Sequence, residues 1–338
     1  MPLSCTASLA GLSYGFNMLR KDSSTATATQ DSLAPISQIT RLIDQVSTII
    51  VGKREQVTLS IICLLGSGHL LIEDVPGVGK TTLSHALALS LGLSYSRIQF
   101  TADLLPSDLI GVSVYDRHKE DFRFHPGPVF AQVLLADEIN RAGPRTQSAL
   151  LEAMEERQVT AEGETRPLPS PFFVIATQNP AEQLGTHPLP ESQLDRFAMR
   201  LSLGYPDPAA ERALLSGDDR RQLLQTLTPV MSAQEWLSWQ ARVESVHVSP
   251  ALLDYLQALI SATRNGHWFS VGLSPRAALS LLKLSKARAL VLGRQHVSPE
   301  DLQVLWVPTV AHRLQPPAQS GRSATAQARA LLEAVPVP

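Results

Sequence analysis

Short apolar runs alternate with amphipathic stretches along the chain before residue 205. Five of these runs are bounded by polar or turn residues and predict buried strands, at 69–72, 95–100, 132–136, 171–177 and 197–203. In the stretches between them apolar residues recur three and four positions apart, which predicts helices. Buried strands that alternate with helices are typical of an α/β fold with a parallel sheet flanked by helices.

After Tyr205 the pattern becomes helical. The spacing of apolar residues predicts five helices, at 208–225, 232–242, 249–264, 274–292 and 298–313. Several open on a serine followed by proline, a common helix start. We therefore predict an α/β core at 36–205 and a smaller all-α domain at 206–314. A loose tail is expected at 315–338, with one short helix near 325–332.

The first 35 residues are rich in Ser, Thr and Ala and show no sustained period, which predicts a disordered extension at 1–35. Lys and Arg are absent from Met1 to Leu19, so a secretory leader is not indicated. Met18 offers an alternative start, in which case residues 1–17 are not translated; mass spectrometry of the natural N-terminal peptide would test this.

Two stretches within the α/β part alternate apolar and polar residues and predict β-hairpins. One covers 112–124 and turns around Arg117-His118-Lys119. The other covers 158–166 and turns at Glu162-Gly163-Glu164.

A glycine-containing loop joins the strand at 69–72 to a helix and predicts a phosphate-binding loop. Its residues are Val75, Pro76, Gly77, Val78, Gly79, Lys80, Thr81 and Thr82. Backbone N–H groups of such a loop wrap phosphates, the lysine reaches the β and γ oxygens, and the Thr81 hydroxyl is placed to ligate Mg²⁺. Asp74 stands where the general pattern has its first glycine. A plain strand–helix turn is the alternative.

Asp137 and Glu138 end the buried strand at 132–136, where α/β folds bind ligands. Asp137 is a candidate for the Mg²⁺ shell, and Glu138 for the base that orients and deprotonates a water. Asn179 follows the strand at 171–177 and is a candidate contact to the γ-phosphate or that water. Its alternative is a turn residue, because Asn-Pro is a turn signal.

Composition limits the classes of protein to which this chain can belong. Of 338 residues 44% are apolar and 18% charged, with 29 basic and 31 acidic residues and a net charge of −2. A nucleic-acid partner is therefore not expected. The two cysteines, Cys5 and Cys63, favour a reducing, cytoplasmic compartment without a disulfide. No run is long enough to span a membrane. No metal site is indicated beyond nucleotide-bound Mg²⁺.

These landmarks together resemble the AAA+ ATPases, and specifically the MoxR family, over residues 36–314. The most specific stretch is GPVFAQVLLADEINRA at 127–142, continuing through 146–156. Further matching segments lie at 104–111, 176–180 and 189–197. In that family Asp is common at the position of Asp74. The resemblance implies an AAA+ P-loop core followed by a helical lid.

The resemblance also implies a role for each candidate. Residues 75–82 look like the Walker A loop and 134–138 like the Walker B strand, with Asn179 as the sensor-1 amide. Arg196 looks like the arginine finger that reaches the neighbouring subunit's nucleotide, and Arg276 like the sensor-2 arginine. The implied catalytic set is Glu138, Asp137, Lys80, Asn179, Arg196 and Arg276.

Other positions are placed in the same way. Val51-Gly52 resembles the segment whose backbone reads adenine, and the two hairpins resemble the helix-2 and pre-sensor-1 inserts of this branch. Arg141 and Arg145 are second choices for facing a neighbour's nucleotide. A surface ion pair with Asp195 is the alternative for Arg196.

The expected activity is Mg²⁺-dependent ATP hydrolysis. Family likeness implies a homo-hexameric ring that remodels a protein client, as a chaperone-like factor for maturation of a protein complex or metalloenzyme. A von Willebrand factor A domain protein acting in trans is the expected partner.

Two alternative functions, from other functional classes, remain open. The helix-2-insert branch includes motors on nucleic acid, which salt-dependent stimulation of turnover by DNA would reveal. A nucleotide-gated scaffold with little turnover is the other, which a single-turnover assay on assembled protein would separate from a hydrolase.

Overall fold

Five parallel strands form the central sheet, in the order β2-β5-β8-β1-β9. The computed structural model describes residues 38–179, 187, 189–216, 220–317 and 320–337, which lie in the unit Ile36–Pro338. The predicted extension at 1–35 lies outside the described residues. The strands are β1 Leu70–Glu73, β2 Tyr95–Gln99, β5 Val133–Asp137, β8 Phe173–Gln178 and β9 Met199–Leu201. The sheet confirms the predicted α/β class.

In the three inner strands, β5, β8 and β1, alternate residues enter two different apolar cores. Leu70 and Ile72 pack into one core, whereas Leu71 packs into the other. Successive side chains of a strand point to opposite faces, so a sheet with helices on both faces needs continuous apolar runs. The helices before residue 205 are α1 at 38–49, α2 Arg54–Leu65, α3 Lys80–Ser90, α4 Pro106–Ile110, α5 Pro144–Glu156 and α6 Glu191–Leu194.

Both predicted hairpins are present outside the central sheet. In the first, β3 Gly111–Asp116 pairs antiparallel with β4 Asp121–Pro126. In the second, β6 Gln158–Ala161 pairs with β7 Glu164–Pro167. The first hairpin leaves large apolar side chains exposed, at Val112, Val114, Tyr115 and Phe122.

The chain after Tyr205 is helical, as predicted. Its helices are α7 Pro208–Ser216, α8 Arg220–Gln225, α9 Ala233–Glu244, α10 Pro250–Arg264, α11 Pro275–Val291, α12 Pro299–Val310 and α13 Ala324–Ala334. The helix expected at 208–225 is described on both sides of residues 217–219, as α7 and α8, and those three residues lie outside the described part. One apolar core runs from α1, α2 and α3 into α9, α10, α11 and α12.

The short helix predicted near 325–332 is present, and the segment at 324–334 is not loose. This segment is α13, and its Ala328 and Leu331 are fully buried in the main core. The Trp306 indole N–H donates to the Ala328 carbonyl oxygen at 2.9 Å. Ala328 and Leu331 lie on one helix face, so burial of that face against α12 fixes a segment that composition alone marks as loose.

Two absences hold for the residues that the structure describes. None of their helices is long and apolar enough to cross a bilayer. They contain no group of three or more His, Cys, Asp or Glu side chains arranged to hold a metal ion. Cys63 is a buried free thiol, and burial raises its pKa to about 12.

Candidate functional site

The predicted phosphate loop connects β1 to α3 at the carboxyl edge of the sheet. Gly77 and Gly79 have positive φ angles of 86° and 94°, which favour glycine. A Cβ atom added at either glycine would meet no other atom within 4 Å, so the loop faces open space. Gly79 is the N-cap of α3, and Lys80 and Thr81 form its first turn. The open, glycine-lined helix start fits a bound phosphate group.

Lys80 is buried beneath this loop. Its ammonium group donates to the Asp74 carbonyl oxygen at 2.7 Å and to Asn179 Oδ1 at 3.5 Å. Burial lowers the pKa of Lys80, while the nearby carboxylates of Asp74, Asp137 and Glu138 oppose that shift. The lysine is thus held in place by neutral oxygen atoms, in a field of three acidic groups.

Asp74 ties the phosphate loop to the end of β9. Its Oδ1 accepts from the Val75 backbone N–H at 2.8 Å. Its Oδ2 accepts from the Ser202 hydroxyl at 3.0 Å and from the Gly204 N–H at 2.6 Å. A glycine at this position could make none of these side-chain bonds. The departure from the general loop pattern therefore has a structural reason, because Asp74 joins two segments that follow adjacent strands.

Asp137 ends β5 beside the loop and is engaged through both carboxylate oxygens. Thr177 Oγ1 donates to Oδ1 at 2.6 Å, and Arg97 Nη2 donates to Oδ2 at 2.6 Å. The same Thr177 hydroxyl accepts from the Glu138 backbone N–H at 2.9 Å. One fully buried threonine on β8 therefore positions both members of the acidic pair.

Glu138 is held by three side chains from three elements. Gln99 donates to Oε2 at 2.9 Å, and Asn179 donates to Oε1 at 3.0 Å. Arg141 Nη1 lies 3.2 Å from Oε2. The backbone of Glu138 is left-handed, with φ 55°, a conformation that costs energy in a residue other than glycine and recurs at functional sites. From this turn the carboxylate reaches Gln99, Asn179 and Arg141.

Asn179 joins the two halves of the cluster. Its side chain contacts Lys80 through Oδ1 and Glu138 through Nδ2, and it is buried. Its contact to Glu138 is present, whereas the turn that its Asn-Pro sequence indicates extends into residues that lie outside the described part of the chain. Since β1, β5 and β8 are adjacent and parallel, their carboxyl ends bring all of these side chains to one place.

Arg196 and Arg276 lie elsewhere. Both form ion pairs with Glu155 near the end of α5, and the Arg196–Glu155 distance is 2.8 Å. Arg196 also donates to the Leu151 carbonyl oxygen. The two arginines line a cavity with His69, which precedes β1 at the amino edge of the sheet. The four residues of β1, at about 3.3 Å each, separate this edge from the phosphate loop by about 13 Å.

Comparison with known proteins assigns the family. A family model described as "ATPase family associated with various cellular activities (AAA)" matches residues 69–199, and one described as "AAA lid domain" matches residues 261–333. The chain is 42% identical to Chaperone MoxR1 of Mycobacterium tuberculosis, over 83% of this chain and 76% of that protein. The chain belongs to the MoxR family of AAA+ ATPases.

Two further matches cover nearly the whole MoxR-type chain. It is 44% identical to the uncharacterized protein YeaC of Bacillus subtilis, over 92% of this chain and 98% of YeaC. It is similar to the crystal structure of an ATPase from Cytophaga hutchinsonii, with a TM-score of 0.83, 36% identity and coverage of 93% and 99%. Membership in this family makes the chain a nucleotide-binding ATPase.

The remaining candidates of this MoxR-family chain fall in three places. Val51 and Gly52 lie in the turn after α1, and a Cβ on Gly52 would come within 2.7 Å of Ala210 Cβ at the start of α7. Arg141, a second choice for a neighbour's nucleotide, contacts Glu138 of its own chain instead. Arg145 is exposed on α5.

Sequence reasoning missed Thr177, Gln99 and Arg97. Each is a polar residue on a strand or at its end, and each supports the acidic pair. Two sequence signals were available: Thr177 closes an otherwise apolar run, and Arg97 and Gln99 alternate with Ile98 on the strand at 95–100. The parallel pairing of Gln99 with Asp137 decides which site they serve.

Proposed function

We propose that this MoxR-family ATPase hydrolyses ATP at a site shared between two subunits. One subunit supplies Lys80, Asp137, Glu138 and Asn179, and its neighbour supplies Arg196 together with Arg276. The observation that carries the proposal is the placement of these groups at opposite edges of the sheet. The two arginines cannot converge with Lys80 on one phosphate chain within a single subunit, whereas the edges of two subunits can meet.

The residues at the carboxyl edge have distinct roles in the proposed reaction. Lys80 and the backbone N–H groups of 75–82 bind the phosphates, and Val51-Gly52 contacts adenine. Glu138 accepts a proton from the attacking water. Asn179 contacts both Lys80 and Glu138, so it keeps the base aligned with the phosphates. The neighbour's arginines neutralise charge that develops on the transferred phosphoryl group.

Mg²⁺ fits the donor set next to the loop. Asp137 offers carboxylate oxygens and Thr81 a hydroxyl at the first turn of α3, and oxygen ligands suit this hard cation. When bound, Mg²⁺ neutralises phosphate charge and orients the phosphates. Asp137 pairs with Arg97 at 2.6 Å, and this contact restrains the carboxylate that would help to hold the metal.

We further propose a cytoplasmic homo-hexamer that acts as a chaperone-like factor in the maturation of a protein complex or metalloenzyme, with a von Willebrand factor A domain protein as its partner in trans. The name of the relative MoxR1 as a chaperone supports this. So does the hairpin of β3 and β4, which exposes Val114, Tyr115 and Phe122 and suits contact with an apolar client segment.

A mixing experiment tests the shared site. Arg196→Ala is expected to fold and bind ATP but lose roughly 10³-fold or more in turnover, the scale of an arginine finger supplied in trans. Glu138→Gln subunits keep Arg196 but lack the base. Mixing the two inactive proteins should therefore restore part of the turnover, because some Arg196→Ala sites then face an intact arginine. Wild-type turnover by Arg196→Ala alone, or no recovery on mixing, would overturn the proposal.

A further inference from the structure

Asp195, which immediately precedes Arg196, is bound by the lid. The Ser274 hydroxyl, at the N-cap of α11, lies 3.2 Å and 3.0 Å from the two carboxylate oxygens of Asp195. Arg313, which follows α12, places its Nε 3.0 Å from Asp195 Oδ1. Two separate elements of the lid therefore converge on one carboxylate in the arginine-bearing loop.

Arg313 also binds the backbone on both sides of Arg196. Its Nη2 donates to the carbonyl oxygens of Asp195 at 3.1 Å and Phe197 at 2.8 Å. Its Nη1 donates to the Thr309 carbonyl oxygen at 3.0 Å, which anchors the side chain to α12. The neighbouring His312 ring adds a contact of 2.9 Å to the Phe197 carbonyl oxygen.

Burial sets Arg313 apart from an ordinary surface arginine. Its side chain is only 3% exposed, and burial lowers its pKa to about 10, with Asp195 opposing the shift. The guanidinium thus stays charged at neutral pH and is matched by one carboxylate and several carbonyl oxygens. The Arg196 side chain is 28% exposed and, among the contacts described, is held only by Glu155 and the Leu151 carbonyl oxygen. The backbone beneath Arg196 is fixed more firmly than its side chain.

We propose that Arg313 is a positioning residue that fixes the backbone around Arg196 to the lid, so that the orientation of the lid sets where Arg196 meets the neighbouring subunit's nucleotide. This inference rests on the proposed function, in which Arg196 acts across a subunit interface. It adds a route by which a movement of the lid in one subunit changes turnover in the next.

A purely structural role for Arg313 makes different predictions, and the lid contains a matched control. Arg288 is a partly buried arginine, with a side chain 14% exposed, and it pairs with the fully buried Asp301. Its ion pair joins α11 to α12 and contacts no residue of the loop that carries Arg196. Loss of either arginine should destabilise the lid, but only loss of Arg313 should displace Arg196.

The first measurement compares Arg313→Gln with Arg288→Gln. Arg313→Gln should lower kcat by roughly 10²-fold with KM for ATP nearly unchanged, because a displacement of about 1 Å at a catalytic group can cost that much. Arg288→Gln should lower the melting temperature comparably while kcat stays within about threefold, since the shared site is untouched. Equal losses of kcat in the two variants would overturn the positioning role.

The second measurement asks whether Arg313 acts through Arg196. If it does, the double variant Arg196→Ala with Arg313→Gln turns over no more slowly than Arg196→Ala alone, because coupled residues are not additive. Mixing Arg313→Gln with Glu138→Gln subunits should restore turnover, as the mixture of Arg196→Ala with Glu138→Gln subunits does. Additive losses, or rescue of Arg196→Ala without rescue of Arg313→Gln, would overturn the inference and leave the proposed function standing.

A milder substitution tests the same contact in case the Arg313→Gln protein does not fold. Asp195→Asn keeps a side chain that can accept from Ser274 but removes the charge that faces Arg313. We expect a loss of kcat of about 10-fold that mixing with Glu138→Gln subunits rescues. Unchanged kcat in a folded Asp195→Asn protein would contradict the positioning role. If Arg196→Ala itself turns over like wild type, the proposed function fails first and the inference with it.

Discussion

At the carboxyl edge of the sheet the ionisable side chains bind one another, whereas at the amino edge two arginines share one glutamate. Lys80, Asn179 and Glu138 form a continuous set of contacts, supported by buried Thr177. Arg196 and Arg276 are 28% and 47% exposed, and Glu155 is their common acidic partner. The first cluster is complete within one chain. The second carries an excess of positive charge toward solvent.

The two edges of the sheet therefore differ in how each would form its half of the shared site. The carboxyl edge is preorganised, so it needs no partner to align its base with its lysine, and preorganised dipoles are an effective way to stabilise a transition state. The amino edge presents cations that a polyphosphate could satisfy better than a single carboxylate does. Four changes probe the two edges, and they are ordered by expected effect.

Glu138→Gln tests the carboxyl edge most directly. The amide cannot accept the proton from water, so we expect turnover to fall by about 10²–10⁴-fold while ATP binding persists. Phosphate release and equilibrium nucleotide binding measure the two properties. Glu156→Gln, an exposed change at the end of α5, is the control and should behave as wild type. Wild-type turnover in Glu138→Gln would remove Glu138 as the base.

Thr177→Val tests the support of the acidic pair. The substitution keeps the shape but removes the hydroxyl that donates to Asp137 and accepts from Glu138 N–H. We expect kcat to drop by about 10- to 100-fold through misalignment, with a loss of about 1–3 kcal/mol in the free energy of unfolding. Thr177→Ser retains the hydroxyl and should stay close to wild type. Equal kcat for the Val and Ser variants would mean that the hydroxyl does not position the pair.

His69 makes the amino edge sensitive to acid. Its Nδ1 accepts from the Val174 N–H and its ring contacts the Met154 carbonyl oxygen, and burial lowers its pKa from 6.5 to about 4. Between those pH values the unfolded chain binds a proton that the folded chain excludes. The contribution of His69 to stability is therefore constant above about pH 6.5 and falls as the pH drops toward 4, by about 2 kcal/mol at pH 5 relative to pH 7.

Urea unfolding at pH 7 and pH 5 measures this loss for wild type and His69→Gln. His69→Gln should be less stable than wild type at pH 7. Its free energy of unfolding should fall less between pH 7 and pH 5, because it lacks the imidazole whose protonation the folded state suppresses. His118→Gln, in the exposed turn of the first hairpin, should keep the wild-type pH dependence. An unchanged pH dependence in His69→Gln would assign the acid sensitivity to another group.

Glu155→Gln should have the smallest effect. The Glu155 side chain is 32% exposed, and partly exposed ion pairs contribute about 0–1 kcal/mol. Asp301→Asn removes the fully buried carboxylate that serves Arg288 and Arg294, and should cost about 3–5 kcal/mol. Chemical denaturation compares the two. An equal loss in the free energy of unfolding for Glu155→Gln and Asp301→Asn would contradict this expectation. It would show that the ion pairs of Glu155 hold the amino edge together without a partner.

Some elements were readable because their signal is local. The strand at 132–136 is a bounded apolar run, and the loop at 75–82 carries its glycines at the positions that need positive φ. The short helix near 325–332 was also readable, but its packing was not: a short amphipathic helix gains its stability from packing, here against α12, which no local pattern records. Asp74 looked like a departure from the loop pattern until its contacts to Ser202 and Gly204 gave it a reason.

Periodicity and turn chemistry act over a few residues, so the amino-acid sequence was enough to predict the α/β class, the helices after Tyr205, the loop at 75–82 and the acidic pair. The contacts that support these residues appear only in the folded chain: Thr177 and Gln99 hold the acidic pair, Asp74 binds the segment after β9, and Arg313 holds the loop of Arg196. These contacts join residues 39 to 130 positions apart. Their geometry follows from strand order and from how the lid packs, neither of which a local pattern contains.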